Sequence, residues 1–126
     1  MILIASGVLK DNIPIIFATI NKEKNLALNK SGNVSLTVDS GFTGGIAVPR
    51  SILQKLNLEF VALEEFTLAD GSSSMLKMYS GYVRVENVNI ETLFIEGDYL
   101  IGMEFMQSIA SELTINFKSK KVKLLR

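Results

Sequence analysis

Val34-Ser35-Leu36-Thr37-Val38-Asp39-Ser40-Gly41-Phe42-Thr43-Gly44-Gly45-Ile46-Ala47-Val48 reads as an apolar strand, an acid, a tight loop of small residues and a second apolar strand. A carboxylate at the end of a buried strand is costly unless it is hydrogen-bonded or paired. The small residues that follow Asp39 leave room for backbone amides to approach its carboxylate. The other three aspartates, Asp11, Asp70 and Asp98, fall in ordinary turn sequences. Asp-Ser-Gly is itself a common β-turn tripeptide. Taken alone it favours a turn over a catalytic loop, so the surrounding chain has to decide between them.

Outward from this loop the chain reads as short strands. Ile2 to Leu9 and Ile13 to Ile20 flank the polar turn Lys10-Asp11-Asn12 and predict an N-terminal hairpin. Asn21 to Lys24 is a second turn, and Leu26-Ala27-Leu28 is separated from Val34 to Val38 by Asn29-Lys30-Ser31-Gly32-Asn33, dense in turn formers. Leu63 to Ala69 and Met75 to Val85 flank Asp70-Gly71-Ser72-Ser73-Ser74, another hairpin tip. Val88 to Ile95, Tyr99 to Ile101, Leu113 to Phe117 and Val122 to Leu125 complete the strands. Two short helices are expected. Pro49 to Leu56 starts with Pro in the first turn and ends at Asn57, which tolerates a left-handed backbone. Met103 to Ala110 sets Phe105, Met106 and Ile109 on one side. The pattern predicts an all-β, closed or partly closed antiparallel domain with two helical inserts.

Composition narrows the chemistry. The chain has 126 residues, 13 basic and 13 acidic side chains, and no His, Cys or Trp. One domain spanning residues 1–126 fits the usual domain size of about 100–150 residues. The 48% hydrophobic content supports a packed core and excludes intrinsic disorder. Without His there is no Ser-His-Asp triad and no His-based metal motif. Without Cys there is no thiolate nucleophile, disulfide or zinc ribbon. Acid–base work falls to carboxylates, Lys or Tyr, and carboxylates are the usual choice.

Zero formal net charge argues against a nucleic-acid partner. The longest apolar run, Ile13 to Ile20, falls far short of the roughly 20 residues a membrane helix needs. Met1 to Ala5 lacks the basic flank and length of a signal peptide. A soluble, cytoplasmic protein is the expectation, and the Cys-free composition suits that reducing compartment. The basic stretch Lys118-Ser119-Lys120-Lys121-Val122-Lys123 reads as a solvated hairpin whose lysines protect an exposed edge.

Val38-Asp39-Ser40-Gly41 resembles the apolar-Asp-Thr/Ser-Gly signature of aspartic proteases. Roughly sixty residues on, Tyr99-Leu100-Ile101-Gly102-Met103 is similar to the apolar-apolar-Gly motif that packs beneath the catalytic loop in retroviral-type (retropepsin-like) members. Closest is the resemblance to small prokaryotic single-domain retropepsin-like proteins, carried in order by Asp39 to Gly44, Val48-Pro49, Leu68 to Gly71 and Leu100 to Glu104. It covers the chain from about Gly7 onward. The implied fold is a retropepsin-like acid-protease closed β-barrel with two short helices, working as a homodimer.

The resemblance implies aspartic-type endopeptidase activity on a peptide or protein substrate, with no cofactor and no metal. One chain supplies one Asp39 and the mechanism needs two, so the dyad forms across a two-fold axis. In the implied roles, Ser40 bonds across the dimer, Gly41 offers its N–H to the carboxylate, and Gly102 packs beneath the loop. Asp70, Gly71, Ser72 and Ser73 form the tip of a flap over the substrate. Phe42, Thr43 and Gly44 are candidate substrate-pocket residues, Phe42 reading first as core. The chain departs from the retroviral pattern in Phe42-Thr43-Gly44-Gly45 after the Asp-Ser-Gly, and in Met103-Glu104 where an Arg often stands. A second reading keeps the fold and the dimer but makes it a catalytically silent peptide-binding or scaffold module.

Overall fold

The computed structural model describes residues 1–24, 32–67, 70–86 and 88–126. The expected strand Leu26-Ala27-Leu28, most of the turn after it and the pair Leu68-Ala69 lie outside the described residues. The order is β1 (Leu3–Lys10), β2 (Ile13–Asn21), β3 (Asn33–Val38), β4 (Ile46–Val48), α1 (Arg50–Lys55), β5 (Glu59–Thr67), β6 (Ser73–Val85), β7 (Val88–Glu96), β8 (Leu100–Ile101), α2 (Met103–Ile109), β9 (Glu112–Asn116) and β10 (Lys121–Leu125). No helix among the described residues is long and apolar enough to cross a membrane.

Local chemistry explains several of these boundaries. Asp11 and Asn12 both take positive φ (51° and 66°), which a two-residue hairpin turn needs and which Asp and Asn tolerate best after Gly. Pro49 caps α1 with an extended backbone, and Asn57 ends the segment at φ 53°. Only Leu53 of α1 is buried, so this short helix rests on packing more than on its own propensity.

Among the described residues ten strands join one sheet in the order β5-β6-β7-β4-β8-β3-β2-β1-β10-β9, and β2 additionally pairs with β6. Most neighbours are antiparallel, as the strand pattern predicts. Two pairs are not: β3 runs parallel to β8, and β4 parallel to β7. The reason is the loop after β3. It carries the chain across the end of β8, so β3 and β4 flank that two-residue strand, one parallel and one antiparallel to it.

Strand alternation sorts the side chains onto two faces. Ile16, Ile20, Leu36, Ile46, Val83, Phe94, Ile101 and Leu124 are fully buried in the main core. Their neighbours Ala47, Met78 and Ile95 point the other way into a smaller cluster, covered by Phe42, Phe66, Leu76 and Leu100. That second cluster joins the loop after β3 to the β5–β6 hairpin. The long apolar run in β2 resolves the same way: Ile16, Ala18 and Ile20 face the core, while Ile13 and Phe17 are exposed.

Candidate active site

Asp39 follows the last residue of β3 and is half-buried. Its backbone N–H donates to the Ile101 carbonyl at 3.1 Å, which extends the β3–β8 pairing by one bond. Its own carbonyl accepts from Phe42 N–H at 3.1 Å, closing the turn. The Gly41 N–H donates to carboxylate Oδ1 at 2.9 Å. The carboxylate is therefore held by its own loop, and Ser40 beside it is exposed.

The loop is fastened to the start of α2. Gly102 N–H donates to the Gly45 carbonyl (2.8 Å), Met103 N–H to Phe42 (2.8 Å) and Glu104 N–H to Thr43 (3.1 Å). Gly102 is buried, and a Cβ there would lie 2.2 Å from the Gly44 carbonyl oxygen and 2.9 Å from the Phe42 ring. No side chain fits. Glycine at 102 is what lets the chain entering α2 lie directly against the loop that carries Asp39.

A cleft of about 790 Å³ opens beside the loop. Gly41, Thr43, Gly44 and Gly45 form one wall, and Glu64 to Thr67 of β5 another; Thr92, Leu93 and the α2 residues Glu104 and Phe105 complete it. Of the candidate pocket residues, Thr43 and Gly44 line this cleft; Gly41 of the Asp39 loop does too, while Asp39 lies outside its walls. Phe42 turns instead into the apolar cluster with Ala47, Met78 and Ile95. The β5 segment is not evident as a wall from sequence, because nothing local says which strand the loop will face. Only the pairing of β5 with β6, and of β6 with β7, brings it there.

The hairpin tip between β5 and β6 has its own local order. Asp70 Oδ1 accepts from the Ser72 hydroxyl (2.6 Å) and the Ser72 N–H (2.9 Å), and Gly71 takes φ 87°. The Ser72 hydroxyl, and after it the Ser72 N–H, holds the Asp70 carboxyl below the ordinary carboxylate range. A depressed folded-state value means that this turn interaction is present above the unfolded pKa and is lost as pH falls through the lower, folded one. Replacing Ser72 with Ala is expected to raise the Asp70 titration midpoint toward the ordinary value, followed by NMR of its carboxyl carbon. An unchanged midpoint would contradict the assigned cause.

Among the described residues no three His, Cys, Asp or Glu side chains converge as a metal ion would require. The structure thus brings together Asp39, Gly41, Phe42, Thr43 and Gly102 in one hydrogen-bonded unit with Gly44 packed against Gly102, whereas Asp70 to Ser73 are exposed at a separate hairpin tip. Comparison with protein-family models, with curated proteins and with solved structures finds no match for this chain.

Proposed function

We propose that the chain is one half of an aspartic endopeptidase, a retropepsin-like closed barrel that pairs as a homodimer in the cytoplasm and hydrolyses peptide bonds with two Asp39 carboxylates. The observation that carries this reading is the Asp39 loop: a half-exposed carboxylate with Oδ1 held by the Gly41 N–H, on a loop seated without clearance over Gly102. The Gly41 bond alone is an ordinary turn feature, since the Ser72 N–H makes the same bond to Asp70; the seating over Gly102 is what a simple turn does not need. The pairing of β2 with β6 supports the closed form of the sheet.

Two carboxylates about 3 Å apart cannot both carry charge cheaply, so one proton is shared between them. The ionised Asp39 takes a proton from a water lying between the two. The oxygen of that water attacks the peptide carbonyl carbon, and the second Asp39 gives its proton to the carbonyl oxygen. Collapse of the resulting diol returns a proton to the departing amine. No covalent enzyme intermediate forms, which suits a chain lacking His and Cys. The cleft between the loop and β5, which reaches Gly41 two residues from Asp39, supports this reading as the place for the peptide, and closure of the hairpin tip would exclude water.

The test is cleavage of a diverse peptide library from about pH 4 to 7, the mildly acidic range in which paired carboxylates do acid–base work. The dimer population is measured in the same samples. Cleavage is expected to track the dimer and to fade on dilution as the dimer dissociates. A chain that stays monomeric while cutting, or that never dimerises, contradicts the dyad. A stable dimer that binds peptides without cutting them supports the scaffold reading instead.

A further inference from the structure

The ten-stranded order ends in two edge strands, β5, which pairs with β6, and β9, which pairs with β10. Each leaves one row of backbone N–H and C=O groups without a strand beside it among the described residues, a template on which another chain can pair. Edge strands are ordinarily blunted by charged side chains, Pro, bulges or shortness, and β5 has its glutamates and one register shift but none of the others. β5 is nine residues long, has neither Lys, Arg nor Pro, and exposes large apolar side chains, with Phe60 51% and Leu63 56% accessible. Its only interruption is the register shift between Phe60 and Ala62.

The two edge hairpins carry opposite net charge, although neither is of one sign: Lys77 on β6 sits beside β5, and β9 itself carries the exposed Glu112. β5 carries Glu59, Glu64 and Glu65, all exposed, and Asp70 follows at its hairpin tip. The β9–β10 hairpin carries Lys118, Lys120, Lys121 and Lys123, with Phe117 74% exposed among them. We propose that β5 of one copy docks against β9 of a second copy of this chain, a head-to-tail contact joined by strand pairing and oriented by these charges.

Like pairs with like poorly here. A β5–β5 contact joins two hairpins that each carry a surplus of acid, and a β9–β9 contact joins two that each carry a surplus of lysine over Glu112, which is unfavourable in net charge in either case. Only β5 against β9 joins hairpins of opposite net charge and exposed apolar surface at once. The formal net charge of zero adds no general repulsion between copies. A contact between different patches leaves a free edge at each end, so it propagates into chains or closes into rings, unlike a two-fold dimer that stops at two. The proposal uses neither Asp39 nor its loop, but it shares Glu64 and Glu65 with the cleft beside that loop, so the hairpin variant, which lies outside the cleft, is the one that separates it from the protease reading.

The experiment is sedimentation velocity on the full chain over a concentration series, from about 0.01 M to about 1 M salt, across which the screening length falls from ~30 Å to ~3 Å. The wild type is expected to form species larger than a dimer at low salt that dissolve at high salt. The pair Glu64→Lys with Glu65→Lys, and separately Lys118→Glu with Lys121→Glu, is expected to weaken this association at least about tenfold, circular dichroism showing both folded. An equimolar mixture of the two reversed proteins is expected to co-assemble, because each reversed edge now meets its complement. Should the β5 variant fail to fold, the hairpin variant decides alone, its changes lying on exposed side chains. Asp39→Asn is expected to leave this assembly unaltered, which separates it from the dyad dimer. A wild type that never exceeds a dimer overturns the proposal. So does association that strengthens with salt, reversed variants that assemble like the wild type, or folded variants whose mixture does not co-assemble.

Discussion

Asp39→Asn is expected to lower peptide hydrolysis at least about a thousandfold while the protein keeps its fold. A positioned acid–base group contributes about 10²–10⁴-fold, and here each dimer loses both of its groups at once. The substitution is nearly isosteric. The amide oxygen of Asn still accepts from the Gly41 N–H, now 2.9 Å from Asp39 Oδ1, so the loop retains its hydrogen bond. Asp39 is half-buried, and removing its charge leaves no cavity. Loss of kcat with an unchanged thermal transition is the expected pair of results. Activity within about tenfold of wild type would assign catalysis to other groups.

The second large effect is Gly102→Ala. The new Cβ would sit 2.2 Å from the Gly44 carbonyl oxygen and 2.9 Å from the Gly44 carbonyl carbon, both backbone atoms that cannot swing aside like a flexible side chain. Relief requires the loop to lift, which strains the Gly102–Gly45 and Met103–Phe42 hydrogen bonds, both 2.8 Å. Overpacking of this kind typically costs about 1–3 kcal/mol, and the backbone clash puts this site at the upper end. The expectation is about 3 kcal/mol less stability in urea denaturation, together with loss of activity because Asp39 moves with the loop. Gly71→Ala is the contrast. No atom lies within 4 Å of a Cβ there, and only the positive φ of 87° opposes it, so a cost of about 1 kcal/mol is expected. Equal costs at the two positions would mean that the loop yields easily.

What could be read from sequence was what local chemistry dictates. The strand, acid, small-residue loop and second strand around Asp39 announce themselves, since few arrangements tolerate a carboxylate after Leu36-Thr37-Val38. Asp11-Asn12 marks its turn and Asn57 the end of a helical segment, because both sites need a left-handed backbone. The start of β5 at Glu59 was not legible: all but one of its residues are exposed, and the register shift at Phe60–Ala62 breaks what alternation there is. The parallel pairings of β3 with β8 and β4 with β7 depend on segments far apart in the chain, and no periodicity encodes them. For the same reason the sequence places Gly102 near the loop only by resemblance, whereas the structure shows which carbonyl it touches. Phe42 is the instructive case. It belongs to the loop by sequence, yet packs with Ala47, Met78 and Ile95, tying the loop to the strands beneath it.

The central claim is that two chains build one site, and subunit mixing tests it most directly. Wild-type chain is held constant, an equal amount of Asp39→Asn chain is added, and subunits are allowed to exchange before peptide cleavage is measured. If each site needs an Asp39 from both partners, random pairing leaves about one dimer in four competent, and the rate falls to about half that of wild type alone. A rate that does not change on mixing, with exchange demonstrated, would mean that each chain carries a complete site of its own and would contradict the account.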